Sequence, residues 1–126
     1  MAIQLHTIGI VVGNMAASLA FYRHLGLPVP EGQEAESNVE VELPNGITLG
    51  FLSEETARYA DPTFVEPIGQ RINLQFACDS AAEVDATYAK LVSAGYESHT
   101  APWDAYWGQR FARIKDADGN IVNLFA

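Results

Sequence analysis

One pattern occurs twice in this chain of 126 residues, and that repetition constrains the fold more than any single motif. Residues 3–12 are rich in Ile and Val and predict a strand. Asn14 offers an N-cap, a side-chain oxygen for a helix's unpaired first amides. Met15, Leu19, Tyr22 and Leu25 form one apolar stripe and predict a helix over 15–25. Gly26 suits a left-handed stop, and Pro28 blocks continuation. Residues 38–43 then alternate, with Val39, Val41 and Leu43 on one face and Asn38, Glu40 and Glu42 on the other. Pro44-Asn45-Gly46 turns the chain into a return strand over 47–52. A short helix over 54–59 and a proline-bearing connector over 61–67 complete this half.

The second half repeats the order. Ile72, Leu74 and Phe76 alternate with Arg71, Asn73 and Gln75. Ser80-Ala81-Ala82-Glu83 has the form of a capping box. Val84, Tyr88, Leu91 and Val92 make the next helical stripe, which predicts a helix over 81–94 ended by Gly95. A short strand is expected over 96–100. Asp118-Gly119 marks a hairpin between strands over 110–115 and 120–125. Tyr22 and Leu25 recur as Tyr88 and Leu91, and Gly46 recurs as Gly119. The economical reading is an α+β domain over 1–126, built from two tandem βαβββ modules over 1–63 and 67–126. A sheet covered by a helix on one face leaves its other face to bury. Two facing sheets would therefore enclose a groove.

Composition narrows the function classes. The formal net charge of −9 argues against nucleic acid, whose phosphates demand a basic surface. It serves solubility, and it admits a cationic ligand. No apolar run approaches the length of roughly 20 residues that a membrane span needs. No secretory leader pattern opens the sequence, so a cytoplasmic location is expected. The single cysteine, Cys78, excludes an internal disulfide and fits a small apolar role. There is no phosphate loop, no nucleophile elbow, no H-E-x-x-H and no C-x-x-C. Within the last strand, however, Asn123 sits between Val122 and Leu124. A buried amide costs free energy unless it is bonded or faces a wet groove.

The stretch FYRHLG after the first strand, the glycine-stopped second helix and the closing DADGNIVNLFA resemble the vicinal oxygen chelate superfamily. That superfamily holds glyoxalase I, fosfomycin-resistance transferases, extradiol dioxygenases and bleomycin-resistance proteins. More narrowly, YADPTF, YAKLVSAGYESH and APWDAYWGQRFARIKDADGNIVNLFA look like the mitomycin- and bleomycin-resistance type of binding protein. The resemblance implies paired modules, cup-shaped mixed sheets, a homodimer that completes the clefts and, in metal-using members, ligands at four strand positions. Carried onto this chain, those positions are His6, Gly50, Asn73 and Asn123. Only His6 keeps a usual ligand. A glycine and two neutral amides do not supply the imidazole and carboxylate donors that divalent metals want, so no metal or other cofactor is expected. A lone His on a strand is also more often a packed residue than a ligand.

The remaining candidates each have a packing alternative. Trp103, Tyr106 and Trp107 could wall a flat ligand or fill a core or dimer interface. Phe51, next to the vacant Gly50, could floor the groove or pack inward. Glu40 with Glu42, and Asp104, would favour an amine-bearing ligand if their faces line the cup, and are otherwise solvated or paired with Arg71 or Arg113. The expectation is a non-catalytic protein that sequesters a small planar ligand, cationic groups admitted. The site would comprise Trp107, Phe51, Trp103, Tyr106, Asn73, Asn123, Asp104 and Glu40. A metal-dependent lyase, isomerase or transferase of the glyoxalase kind is the alternative, and a structural or regulatory dimer is the third reading.

Overall fold

A computed structural model describes residues 3–70 and 72–126. The chain divides into two units, Met1–Glu66 and Pro67–Ala126. Among the described residues the fold is α+β, with seven strands and three helices. No helix there is long and apolar enough to cross a membrane.

The first unit runs β1 (Thr7–Val12), α1 (Met15–His24), β2 (Asn38–Glu42), β3 (Thr48–Ser53) and α2 (Glu54–Ala60). Its sheet order is β1-β3-β2, with β1 parallel and β2 antiparallel to the central β3. Asn14 caps α1 as expected, its Oδ1 accepting the Ala17 amide at 3.0 Å. Ser53 does the same for α2, accepting from Thr56. The expected fourth strand of this module is absent among the described residues. Pro28, Pro30 and Gly32 fall between α1 and β2, and prolines cannot donate to a ladder. The first strand is also shorter than expected, beginning at Thr7, so His6 lies just before it.

The second unit runs β4 (Leu74–Ala77), α3 (Ala81–Ser93), β5 (Ser98–Asp104), β6 (Arg110–Lys115) and β7 (Ile121–Phe125). Its sheet order is β4-β7-β6-β5. Ser80 caps α3 through the Glu83 amide, and Glu83 reaches back to the Asp79 amide at 2.9 Å. The closing turn forms at Asp118-Gly119, with Gly119 at φ +84°. Its organiser is Asp116, which the sequence reading missed. The buried Asp116 carboxylate accepts the amides of Asp118 and Asn120 and the Asn120 side-chain N–H. Arg71, expected on the polar face of a strand, lies outside the described residues.

Each sheet lays one face on its helix. In the first unit Val39, Val41, Leu49 and Phe51 are buried with Leu19, Phe21 and Tyr22 of α1. In the second, Ala112, Ile114, Val122 and Leu124 are buried with Val84 and Leu91 of α3. Strand alternation sends the next residue along to the opposite face. Gly50 and Asn123 lie on those opposite faces.

Candidate functional site

The strand register of the second unit builds a polar row across its helix-free face. Gln75 of β4 stands opposite Asn123 of β7, Asn123 opposite Arg113 of β6, and Arg113 opposite Thr100 of β5. The next row is Ala77, Phe125, Phe111 and Trp103. One end of the face is thus aromatic and its middle is polar.

The edge strand β5 reaches this arrangement through two irregularities. Its register shifts between Ser98 and Thr100 and again between Thr100 and Trp103. An extra residue flips the side chains that follow it to the other face. The first shift turns Thr100 to Arg113, and the second restores Trp103 to Phe111. Pro102 is tolerated here because an edge strand need not donate on both sides. The short strand expected over 96–100 is therefore longer and holds Trp103 and Asp104.

Beside the polar row lies a cleft of about 180 Å³, lined by Gln70, Ile72, Asn73, His99, Arg113, Ile121 and Asn123. Gln70 fixes one wall. Its side-chain N–H donates to the Ile121 carbonyl at 3.0 Å, and its Oε1 accepts the Ile121 amide at 2.7 Å. Asn73 lies just ahead of β4, and its Oδ1 accepts from Gln75 at 3.3 Å. His99, at the first register shift, places Nδ1 at 2.7 Å from the Thr100 hydroxyl. Asn123 is only 5% exposed, and its Oδ1 is buried with no hydrogen-bond partner. A buried acceptor left unpaired costs on the order of 1–3 kcal/mol.

Arg113 joins the cleft to the aromatic end. Its guanidinium lies 5.0 Å from the Trp103 ring centroid and 5.6 Å from that of Phe111. Among the described residues its one side-chain hydrogen bond is a long 3.5 Å contact to the Thr100 hydroxyl. Trp103 meets Phe111 edge-on at 5.5 Å. Trp107 is peripheral: its indole donates to Gln109 at 2.8 Å and meets Trp103, Tyr106 and Phe111 edge-on. Tyr106 is 97% exposed. Neither Trp103 nor Trp107 is among the residues that line the cleft; Trp103 touches it only through Arg113.

The structure separates other expected site residues from this cleft. Phe51 is fully buried on the helix side, tilted against Tyr22 at 5.1 Å, because alternation sets it opposite to Gly50. Asp104 lies on the helix side of β5, where Arg110 holds it at 3.2 Å while also pairing with Asp85 of α3 at 2.9 Å. Glu40 is exposed on β2 of the first unit, opposite Gly50. The residues behind a cationic ligand thus do not gather at this cleft. Arg113 and Gln70 were not weighted as site residues. The alternation through 110–115 could have found Arg113; nothing local marks Gln70, whose partner is distant in sequence.

The four positions implied for a metal do not fit one. Gly50 has no donor. Exposed His6 already engages the Thr7 hydroxyl, and Asn73 Oδ1 is occupied by Gln75. Among the described residues no three His, Cys, Asp or Glu side chains converge. Neutral amide oxygens do not offset the desolvation of a divalent ion.

Comparison with known proteins agrees with this architecture. Residues 4–124 match the family model of the Glyoxalase/Bleomycin resistance protein/Dioxygenase superfamily. A glyoxalase/bleomycin resistance protein/dioxygenase family enzyme from Burkholderia phytofirmans PsJN is similar at a TM-score of 0.85 and 22% identity, over 98% of each chain. A glyoxalase-related enzyme from Fulvimarina pelagi gives 0.84 and 20%, over 97% of this chain and 86% of its own. Lactoylglutathione lyase from Agrobacterium tumefaciens gives 0.71 and 18%, over 97% and 92%. At these identities the likeness shows the fold. No curated protein matches the sequence.

Proposed function

The chain belongs to the Glyoxalase/Bleomycin resistance protein/Dioxygenase superfamily, and within it we propose a small-molecule binding protein that holds a planar ligand without turning it over. The observation that carries this reading is the buried, unpartnered Asn123 Oδ1 at the cleft of the second unit. Buried polar groups in folded proteins are almost always satisfied, so an orphan acceptor on a side chain that lines a cleft calls for a donor bound there, a water or a ligand group. Apolar Ile72 and Ile121 with a few convergent polar groups make the usual composition of a ligand site. A donor set unsuited to metal supports binding over metal-assisted chemistry.

The test is a screen by tryptophan fluorescence and by the side-chain amide resonance of Asn123. Quinone and glycopeptide antibiotics would be included, with unrelated flat compounds as controls. A ligand should shift that resonance and quench Trp103, and Asn123→Leu should weaken its binding about fivefold or more, as loss of a buried hydrogen bond of about 1–3 kcal/mol implies. A screen in which nothing moves the Asn123 amide removes the reading. Elemental analysis that finds about one divalent metal per chain, lost on His6→Ala, would favour a glyoxalase-like enzyme instead.

A homodimer belongs to the same proposal. Val65 in the first unit and Ile68 in the second are exposed apolar residues that association would cover. Light scattering that gives a monomer mass at every concentration would remove it.

A further inference from the structure

Taking the cleft of the second unit as a ligand site, as proposed above, we infer that it selects a small carboxylate with a hydroxyl donor next to its anionic group. Among the described residues that line the cleft, Arg113 is the one with a permanent positive charge, and none is a carboxylate. The chain has 16 acidic residues against seven Lys and Arg, so cations seldom lack an acid. Arg23 holds Glu34, Arg58 holds Glu54, Arg110 holds Asp85 and Asp104, and Lys115 holds Glu97. Among the described residues, Arg113 has no such partner.

Its guanidinium is nevertheless fixed in place. Trp103 and Phe111 hold it by ring contacts, with Thr100 as a weak hydrogen-bond acceptor. Ring faces orient a guanidinium without neutralising it. The planar fork then remains open for a carboxylate, which it matches with two parallel hydrogen bonds. The charge state of the ligand follows from that fork.

The hydroxyl follows from Asn123. Its Oδ1 accepts only, and it stands directly across the strand pair from Arg113. Residues opposite each other on neighbouring strands lie about 5 Å apart. A ligand that meets both must carry an anion and a donor within a few bonds. An ammonium donor would be repelled by Arg113, so a hydroxyl is the better match. The cleft of about 180 Å³ has room for about six waters at roughly 30 Å³ each, which fits a head group of that size. Ile72 and Ile121 would flank its apolar tail.

Four probes test this by calorimetry and by Asn123 amide shifts: mandelate, phenylacetate, mandelamide and phenethylamine. The first has carboxylate and hydroxyl, the second lacks the hydroxyl, the third lacks the charge, and the last reverses it. Mandelate should bind at least tenfold more tightly than each of the others. Arg113→Gln should lose that preference over mandelamide, with Arg113→Lys restoring part of it. Asn123→Leu should bind mandelate and phenylacetate alike. Far-ultraviolet circular dichroism and a melting curve check that each variant is folded. Equal binding of mandelamide or of the amine, or unchanged mandelate affinity in folded Arg113→Gln, overturns the carboxylate. If none of the four binds while another compound from the screen shifts the Asn123 amide, the anion inference fails and the ligand site stands. If nothing shifts it, both fall.

Discussion

The two units carry the same register with opposite contents. In the first, Gly50 of β3 lies between Gly9 of β1 and Glu40 of β2. In the second, Asn123 of β7 lies between Gln75 of β4 and Arg113 of β6. Each central residue comes four positions after its hairpin glycine, Gly46 or Gly119. One row therefore has two glycines and an acid; the other has two amides and a base. The backbone frame recurs in both units, and the side chains of the open row do not. The frame follows from buried alternation, which both halves share. The chemistry lives on the alternate residues, which packing leaves free to differ.

The largest test strikes the shared part. Phe51 and Leu124 follow the two central residues and are both buried on the helix side. Truncating a buried Phe costs about 3–5 kcal/mol and a buried Leu about 2–5, through lost transfer energy and the cavity left behind. Phe51→Ala and Leu124→Ala should each lower the urea midpoint strongly. A Phe51→Ala protein as stable as wild type, with altered ligand affinity, would return Phe51 to the site and break the equivalence.

The next test strikes the difference. Asn123→Leu keeps the approximate volume and removes the orphan acceptor. Removing it should raise stability by about 1–3 kcal/mol, the cost of the unpaired group. The same substitution should weaken ligand binding, so stability and affinity move in opposite directions. A lower melting temperature would mean that Asn123 is satisfied in the free protein.

The converse change in the first unit is smaller. A Cβ on Gly50 would meet Thr7 Cγ2 at 3.4 Å, an ordinary contact, and Gly50 has no positive φ. Gly50→Ala should therefore stabilise by about 0.4–1 kcal/mol, by reducing the freedom of the unfolded chain. Marked destabilisation would show that the bare row is itself a packing requirement.

How much of this could be read from residues alone follows the same division. The helices were legible because Asn14 and Ser80 announce their starts and apolar stripes run behind them. The β6–β7 hairpin was legible through Asp118-Gly119. Asn123 was legible as a polar residue in an apolar strand. Phe51 was misplaced although alternation with Gly50 carried the answer, since an open neighbour does not put both residues on one face. The strand expected over 96–100 stopped short of Trp103, whereas β5 runs on through Pro102 to Asp104, as an edge strand can. The site's cation needed the strand register, which local sequence does not specify. The Gln70 clamp on Ile121 is a tertiary pairing with no local trace.

The smallest test concerns two exposed carboxylates, one in each unit. Asp61 is held below the usual carboxylate range chiefly by the Thr63 hydroxyl and then by the Thr63 amide. Glu97 is held below it by the Lys115 ammonium, first through a hydrogen bond and then through its charge. Both folded values lie below the unfolded ones. Each group therefore stabilises the fold above its unfolded value, and that contribution is lost as pH falls through the lowered folded value. The causes differ, neutral donors in one case and a cation in the other. Side-chain carbonyl shifts followed by NMR against pH should show this. Raising salt to about 1 M, where the screening length is about 3 Å, should move Glu97 part of the way back and leave Asp61 in place. Lys115→Met should return Glu97 to the ordinary range without changing Asp61. A salt response at Asp61 as large as that at Glu97 would mean that the first unit, too, holds its carboxylate by charge.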